Sequence, residues 1–264
     1  MGFEELKEKQ RVMWGAGPFE RVEPNLGDMH AAVIERAAPQ PGERLLDIGC
    51  GTGGAAFLGC QSGADVTGLD LSPVLIETAR ARADERGLGL RLEAGDAESL
   101  PYEDASFDVV TSTVGIMFAP GQEAVASELA RVTRSGGRLV VASWIWEGSG
   151  GGLFRVMAPF QPPPPPGLPS PFDWGREDVV ERLLGDAFEL EFERRESTIA
   201  EPTSEAVWEI FSTSFGPLKT LLGTLEPERR YELHDAFVAF FDEYRTEDGI
   251  RQPRPYLIAH GTRR

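Results

Sequence analysis

The chain is poor in the residues from which metal centres and disulfide frameworks are built, with two cysteines, Cys50 and Cys60, and three histidines in 264 residues. Two cysteines staple no framework, and no CxxC or HExxH spacing occurs, so no metal is expected. Long apolar runs are missing as well. Uncharged windows such as Val109 to Gln122 and Val156 to Phe172 fall short of the roughly 20 residues of a spanning helix, and prolines break the second, so no membrane span is expected. Positive charge is scarce, because 26 basic residues against 43 acidic ones leave a net charge of −17. From Leu92 to Ala130 there are eight acids and no lysine or arginine. Such a surface repels phosphate backbones and argues against a nucleic-acid partner. The opening MGFEELKEKQR lacks the apolar core of a signal peptide, from which a cytoplasmic protein is expected.

What is present is a switching pattern. Short continuous apolar runs alternate with helical spacing from Arg44 onward, the mark of strands and helices around a parallel sheet. Strands are expected at Arg44 to Ile48, Asp65 to Asp70, Leu90 to Ala94, Phe107 to Ser112 and Arg138 to Trp144. Ser72 as N-cap, Pro73 at the first helical position and Gly87 at the stop predict a helix over 73–86. A second helix runs from Gln122 to Val132, before Ser135-Gly136-Gly137. This is an α/β fold, an open doubly wound sheet whose ligand belongs at the carboxyl ends of the strands. Two helices precede it, one with Phe3, Leu6, Gln10, Met13 and Trp14 on a face, the other with Leu26, Met29, His30, Val33, Ile34 and Ala37. After the fifth strand the tract Pro162 to Pro166 must be extended, a stiff connection or a docking site for a proline-binding partner. Further strands are expected at Phe188 to Arg195 and Tyr256 to Thr262. They flank a helix whose stripe Leu233, Phe237, Phe240, Phe241 and Tyr244 reads as core or lid packing.

The segment Leu45-Leu46-Asp47-Ile48-Gly49-Cys50-Gly51-Thr52-Gly53-Gly54 ends a strand and opens a helix, where glycines let a ligand approach the backbone. Gly49, Gly51 and Gly54 also satisfy GxGxxG, with Asp70 at the offset of a ribose-binding acid, so the glycines alone equally permit an NAD(P)-dependent oxidoreductase. Two features separate the readings: Asp47 directly before the glycines, and Gly95-Asp96-Ala97 after the third strand. With Asp70-Leu71-Ser72-Pro73, the stretch Ala94 to Pro101, Ser106 to Val110 and Arg131 to Leu139, the chain resembles the class I S-adenosylmethionine (SAM) dependent methyltransferases. Within them it is similar to the ubiquinone/menaquinone-biosynthesis branch. The resemblance is strong over residues 40–145 and weak over most of the remainder.

The resemblance implies SAM as cofactor, with S-adenosylhomocysteine (SAH) as product, and a cofactor set of Asp47, Gly49, Cys50, Gly51, Gly53, Asp70, Leu71, Asp96, Ala97 and Val114. Asp70 would accept both ribose hydroxyls, and Asp96 and the Ala97 amide would meet the adenine between Leu71 and Val114. Turn carbonyls supported by Asp47 would receive the ammonium. Cys50 is expected to be a small turn residue and no nucleophile. Singly, each acid also reads as a cap or turn residue. For catalysis His30 is the candidate base, since its ordinary pKa suits proton removal near neutrality. Trp14, Met117, Phe118, Trp144, Trp146 and Trp174 are the candidate acceptor pocket. The expected division is an N-terminal helical lid over 1–40, a Rossmann-like core over 41–200, a helical insertion serving as lid over 201–253, and the last, antiparallel strand over 254–264. The functional expectation is methyl transfer to oxygen, nitrogen or carbon of a small apolar or aromatic metabolite by a monomer or homodimer. A SAM-binding protein that does not methylate would carry the same motifs.

Overall fold

The computed structural model describes residues 3–264. Helices α1 (Phe3–Trp14) and α2 (Gly27–Ala37) come first, then β1 (Arg44–Ile48), α3 (Gly54–Gln61), β2 (Asp65–Asp70), α4 (Pro73–Glu85), β3 (Arg91–Ala94), β4 (Phe107–Thr113), α5 (Gln122–Val132) and β5 (Thr133–Trp144). The chain continues through α6 (Gly152–Met157), α7 (Glu177–Leu184), β6 (Phe188–Glu201), α8 (Ser204–Ser214), α9 (Gly216–Thr224), α10 (Pro227–Asp242), β7 (Arg245–Thr246) and β8 (Gly249–Arg263). The sheet order is β3-β2-β1-β4-β5-β8-β6, with β7 paired to β8. From β3 to β5 the pairing is parallel. β8 runs antiparallel between β5 and β6. This is the Rossmann-like arrangement expected from the alternating pattern, with an antiparallel last strand.

The main core lies between the sheet and α2, α5 and α7, where Leu45, Leu46, Val109, Val110 and Leu139 are fully buried. Each such side chain stabilises the fold by about 1.5–3 kcal/mol. A second core forms beyond the sheet, where Phe211, Leu218, Leu233, Phe237 and Phe241 of α8–α10 pack on Val22, Met157 and Ile199. The stripe on α10 is therefore packing, as its spacing indicates. The two segments flanking the sheet also touch each other: a Cβ on Gly216 would sit 2.1 Å from the Met13 carbonyl oxygen, and one on Gly17 would sit 2.6 Å from that of Ser214. No described helix is long and apolar enough to cross a membrane.

The largest departures from the expected boundaries are in β5, β6 and β8. β5 starts at Thr133 rather than Arg138, because the chain enters the sheet directly from α5, with Gly136 at φ 72° and the register shifted between Phe107 and Val109. β6 and β8 are longer than expected and extend as a pair, Glu201 opposite Ile250. Pro253 and Pro255 lie within β8, past its last pairing with β5 at Tyr256, where a missing N–H on that side breaks no ladder. Ser72 stands at the N-cap of α4 but its hydroxyl makes no cap bond; Asp70 Oδ1 accepts from the Ser72 amide at 2.8 Å instead.

Candidate active site

β1 delivers the chain into a turn with Gly49, Gly51 and Gly53 at φ 68°, 55° and 101°, conformations that a Cβ would strain. The Gly49 and Cys50 amides donate to the Leu69 carbonyl at 2.7 and 3.1 Å, tying the turn to β2. Asp70, at the end of β2, accepts from the Gly51 amide at 2.9 Å through Oδ2. Both oxygens therefore hold backbone, and each keeps a second lone-pair site for a ligand. On the other side, the end of β4 touches the turn, since a Cβ on Gly115 would lie 2.7 Å from the Gly49 Cα. Reaching that contact puts Val114 at φ 50°, rare for a β-branched residue and held here by its amide bond to the Ala142 carbonyl, 2.8 Å.

Above the turn and the strand ends opens a cavity with about 1390 Å³ of empty space, its open mouth included. Gly49, Cys50, Gly51, Asp70, Leu71, Asp96, Ala97 and Val114 of the cofactor set line it. So do His30, Trp14, Phe118 and Trp144. The structure does not bring the remaining candidates there. Asp47 is 1% exposed behind the turn, paired in register with Thr111, whose hydroxyl donates to it at 2.9 Å. Gly53 caps α3 with its open face against the Phe57 ring. Met117 and Trp174 are buried in the main core, and Trp146 is 43% exposed, edge-on against Phe172 and under the Arg155 guanidinium. An aromatic residue near a strand end faces the cavity only if its side of the chain does, and the tryptophan spacing alone did not reveal that.

Sequence reading missed several lining residues. Glu23 is held from both prongs by Arg82, at 2.6 Å each, and accepts from the Thr52 hydroxyl, while Arg82 also donates to the Thr52 carbonyl at 2.6 Å. This cluster clamps the glycine turn between the N-terminal segment and α4. Burial alone would raise Glu23, but Arg82 and Thr52 outweigh it and hold its carboxyl below the usual range. Lys7, the best-buried side chain of α1, reaches across to Asp96 at 2.7 Å and Glu98 at 3.2 Å. Gln10 donates to the Phe118 carbonyl at 2.9 Å. α1 is thereby docked over the β3 side of the cavity. Phe154 and Phe215 join Trp14 and Phe118 in one aromatic chamber, with ring centroids 4.9 to 6.5 Å apart. A lone lysine on an apolar helix face was the available signal for Lys7; the others come from distant segments and gave none.

Titration follows burial. Burial pushes the Cys50 thiol well up, leaving it no nucleophile at neutral pH. Burial pulls His30 down, against the pull of Glu23 and Asp28, so the imidazole is neutral at pH 7. Its ring rests on Gly54, where a Cβ would come within 2.2 Å. Asp47 is pushed up to about 7 by burial, although the Thr111 hydroxyl and the Ala56 amide favour its charged form. A carboxyl raised by folding holds its proton more tightly in the folded state, so its contribution declines as pH rises from about 4 to about 7. Asp47→Asn should therefore gain stability relative to the unaltered protein across that window and run parallel to it above. Urea unfolding of the ligand-free proteins at several pH values checks this, and a pH-independent difference would contradict it.

The donor set fits SAM better than a dinucleotide. Carboxylates at the ends of β2 and β3 suit a diol, an amino group and a cation, whereas a pyrophosphate would face Asp70, Asp96 and Glu23 with Lys7 and Arg82 already paired. The comparisons agree. Residues 46–141 match a methyltransferase-domain family. The chain is 35% identical over 221 residues, 80% of its length and 78% of the relative's, to an uncharacterized protein of Mycobacterium tuberculosis. It is 39% identical over 113 residues, 43% of this chain and 45% of the relative, to a demethylmenaquinone methyltransferase of Beutenbergia cavernae. In three dimensions it is similar to a geranyl diphosphate methyltransferase solved in complex with SAM, TM-score 0.55 at 20% identity, over 89% of this chain and 85% of that one. The chain belongs to the class I SAM-dependent methyltransferases.

Proposed function

We propose that the protein transfers the methyl group of SAM to oxygen, nitrogen or carbon of a small apolar or aromatic metabolite. The observation that carries this is a single cavity that runs from the carboxylates at the ends of β2 and β3 into a chamber walled by Trp14, Phe118, Phe154 and Phe215. SAM supplies an electrophilic methyl whose transfer is an in-line displacement, so the protein's work is positioning and exclusion of water. Asp70 accepts the ribose hydroxyls through its free lone pairs. Asp96 and the Ala97 amide take the adenine edge, between Leu71 and Val114. The turn at Gly49 to Gly51 lets backbone approach the methionine end, and Asp47 braces that turn from behind. α1 and α8–α9, which meet at Gly17 and Gly216, close the chamber as a lid.

His30 is the base where the acceptor must lose a proton. It lines the cavity, it is neutral, and no hydrogen bond to another described residue occupies its ring. His30→Gln should then lower kcat by about 100-fold or more, the usual scale of a general base, while SAH affinity stays within twofold. An unchanged kcat would assign His30 to packing against Gly54. The reading as a whole is tested by incubating the protein with a metabolite extract and methyl-labelled SAM and following products by intact mass. A labelled small molecule that requires the protein is the expected result; SAM turnover without any methylated product would overturn it.

A further inference from the structure

The acceptor half of the cavity holds two polar side chains that the proposed function does not use. Arg254 and Gln252 sit two residues apart on the inward face of β8, 8% and 2% exposed, and both line the cavity. Arg254 makes its hydrogen bonds through Nη2 alone, to the Asn25 carbonyl and to Ser197 Oγ, the latter at 3.0 Å. Its Nε is buried with no acceptor, and its Nη1 bonds no described residue. The guanidinium carbon lies over the Trp144 ring, 4.7 Å from its centroid. Gln252 donates to the Ser149 carbonyl at 3.1 Å and leaves Oε1 buried without a partner.

Other charges in the lining are answered. Lys7 pairs with Asp96 and Glu98, Glu23 pairs with Arg82, and Asp70 holds two amides. Arg254 pairs with no carboxylate among the described residues. Asp28 acts on it only at a distance, its Oδ1 engaged by Ser197 and the Met29 amide. A guanidinium taken from water without a counter-charge is costly, and each unused buried donor adds to that cost. Bracing Asn25 and Ser197 needs one nitrogen, so that role leaves the remaining donors unexplained. Burial lowers the group to about 10, which still leaves it charged at neutral pH.

We propose that the methyl acceptor is an acid, an apolar or aromatic molecule whose carboxylate is held by Arg254 at the β8 end of the chamber. This rests on the reading of the cavity as a methyl-acceptor site and narrows the class of acceptor. The fork of the guanidinium matches a carboxylate, and the Trp144 ring packs against it. The aromatic walls take the apolar body, and Gln252 Oε1 remains for a donor beside the acid group.

The test is calorimetric titration of the full chain, with and without SAH, using benzoate, naphthalene-2-carboxylate and decanoate, each against its primary amide. At least one acid should bind tenfold or more tightly than its amide, and Arg254→Met should abolish that ratio while the SAH affinity changes less than twofold. No binding by any acid, equal binding of acid and amide, or a ratio that survives in folded Arg254→Met would overturn the proposal. The comparison in the unaltered protein decides even if the variant does not fold. Failure of SAH to bind counts against the methyltransferase reading, and the acid-to-amide ratio measured without SAH still decides this one.

Discussion

Asp70→Ala lowers the affinity for SAM and SAH by about 10- to 100-fold. The carboxylate is placed by β2, it holds the Gly51 and Ser72 amides, and its remaining lone pairs face the cavity. In the proposed cofactor site, removing it would take both acceptors from a ribose diol that has left water, a loss of roughly 1.5–3 kcal/mol for hydrogen bonds to a charged group. It also frees the turn. Asp70→Asn separates the two roles, since an amide keeps one acceptor oxygen and loses the charge. Titration of both variants with SAH, alongside urea unfolding, gives the measurement. Unchanged affinity in a folded Asp70→Ala protein would reduce Asp70 to a turn and cap residue.

Glu23→Ala should cost about 2–4 kcal/mol of stability, below the fully buried limit because Arg82 retains 18% exposure. The variant leaves a half-buried guanidinium without its counter-charge and the Thr52 hydroxyl without its acceptor. Because Glu23 is held below the usual carboxylate range, its contribution is present above about pH 4.5 and lost as pH falls through its lowered folded value. The loss in Glu23→Ala should therefore shrink under acid. Since the cluster clamps Thr52, SAH affinity should fall together with stability. A loss below about 1 kcal/mol would make this an ordinary surface pair.

The sequence was most readable where local chemistry is repetitive. β1 and β2 fall at their expected ends because short, mostly apolar segments bounded by turn residues leave little choice, and α4 starts at Pro73 as its N1 proline requires. The carboxylates proposed for the cofactor, Asp70 and Asp96, could be placed at the ends of β2 and β3 for the same reason, and both line the cavity. The aromatic chamber could not. β8 was expected to begin at Tyr256, and that boundary left out the alternation Ile250, Gln252, Arg254, Tyr256, which turns inward across from β6. Trp146 and Trp174 were placed in the pocket because their segments lie near the carboxyl edge of the sheet, yet one packs edge-on against Phe172 at the surface and the other fills the core. Glu23 and Arg82, fifty-nine positions apart, meet only through the fold.

A SAM site in the cavity over β1 to β3 should reveal itself in thermal unfolding of the purified protein across a titration with SAH and, in parallel, NADH. SAH should raise the melting temperature progressively with concentration, as a ligand of the folded state must, with the effect weakened in Asp70→Ala and NADH without effect. Stabilisation by NADH and none by SAH or SAM would make the cavity a dinucleotide site and rule out methyl transfer from SAM there.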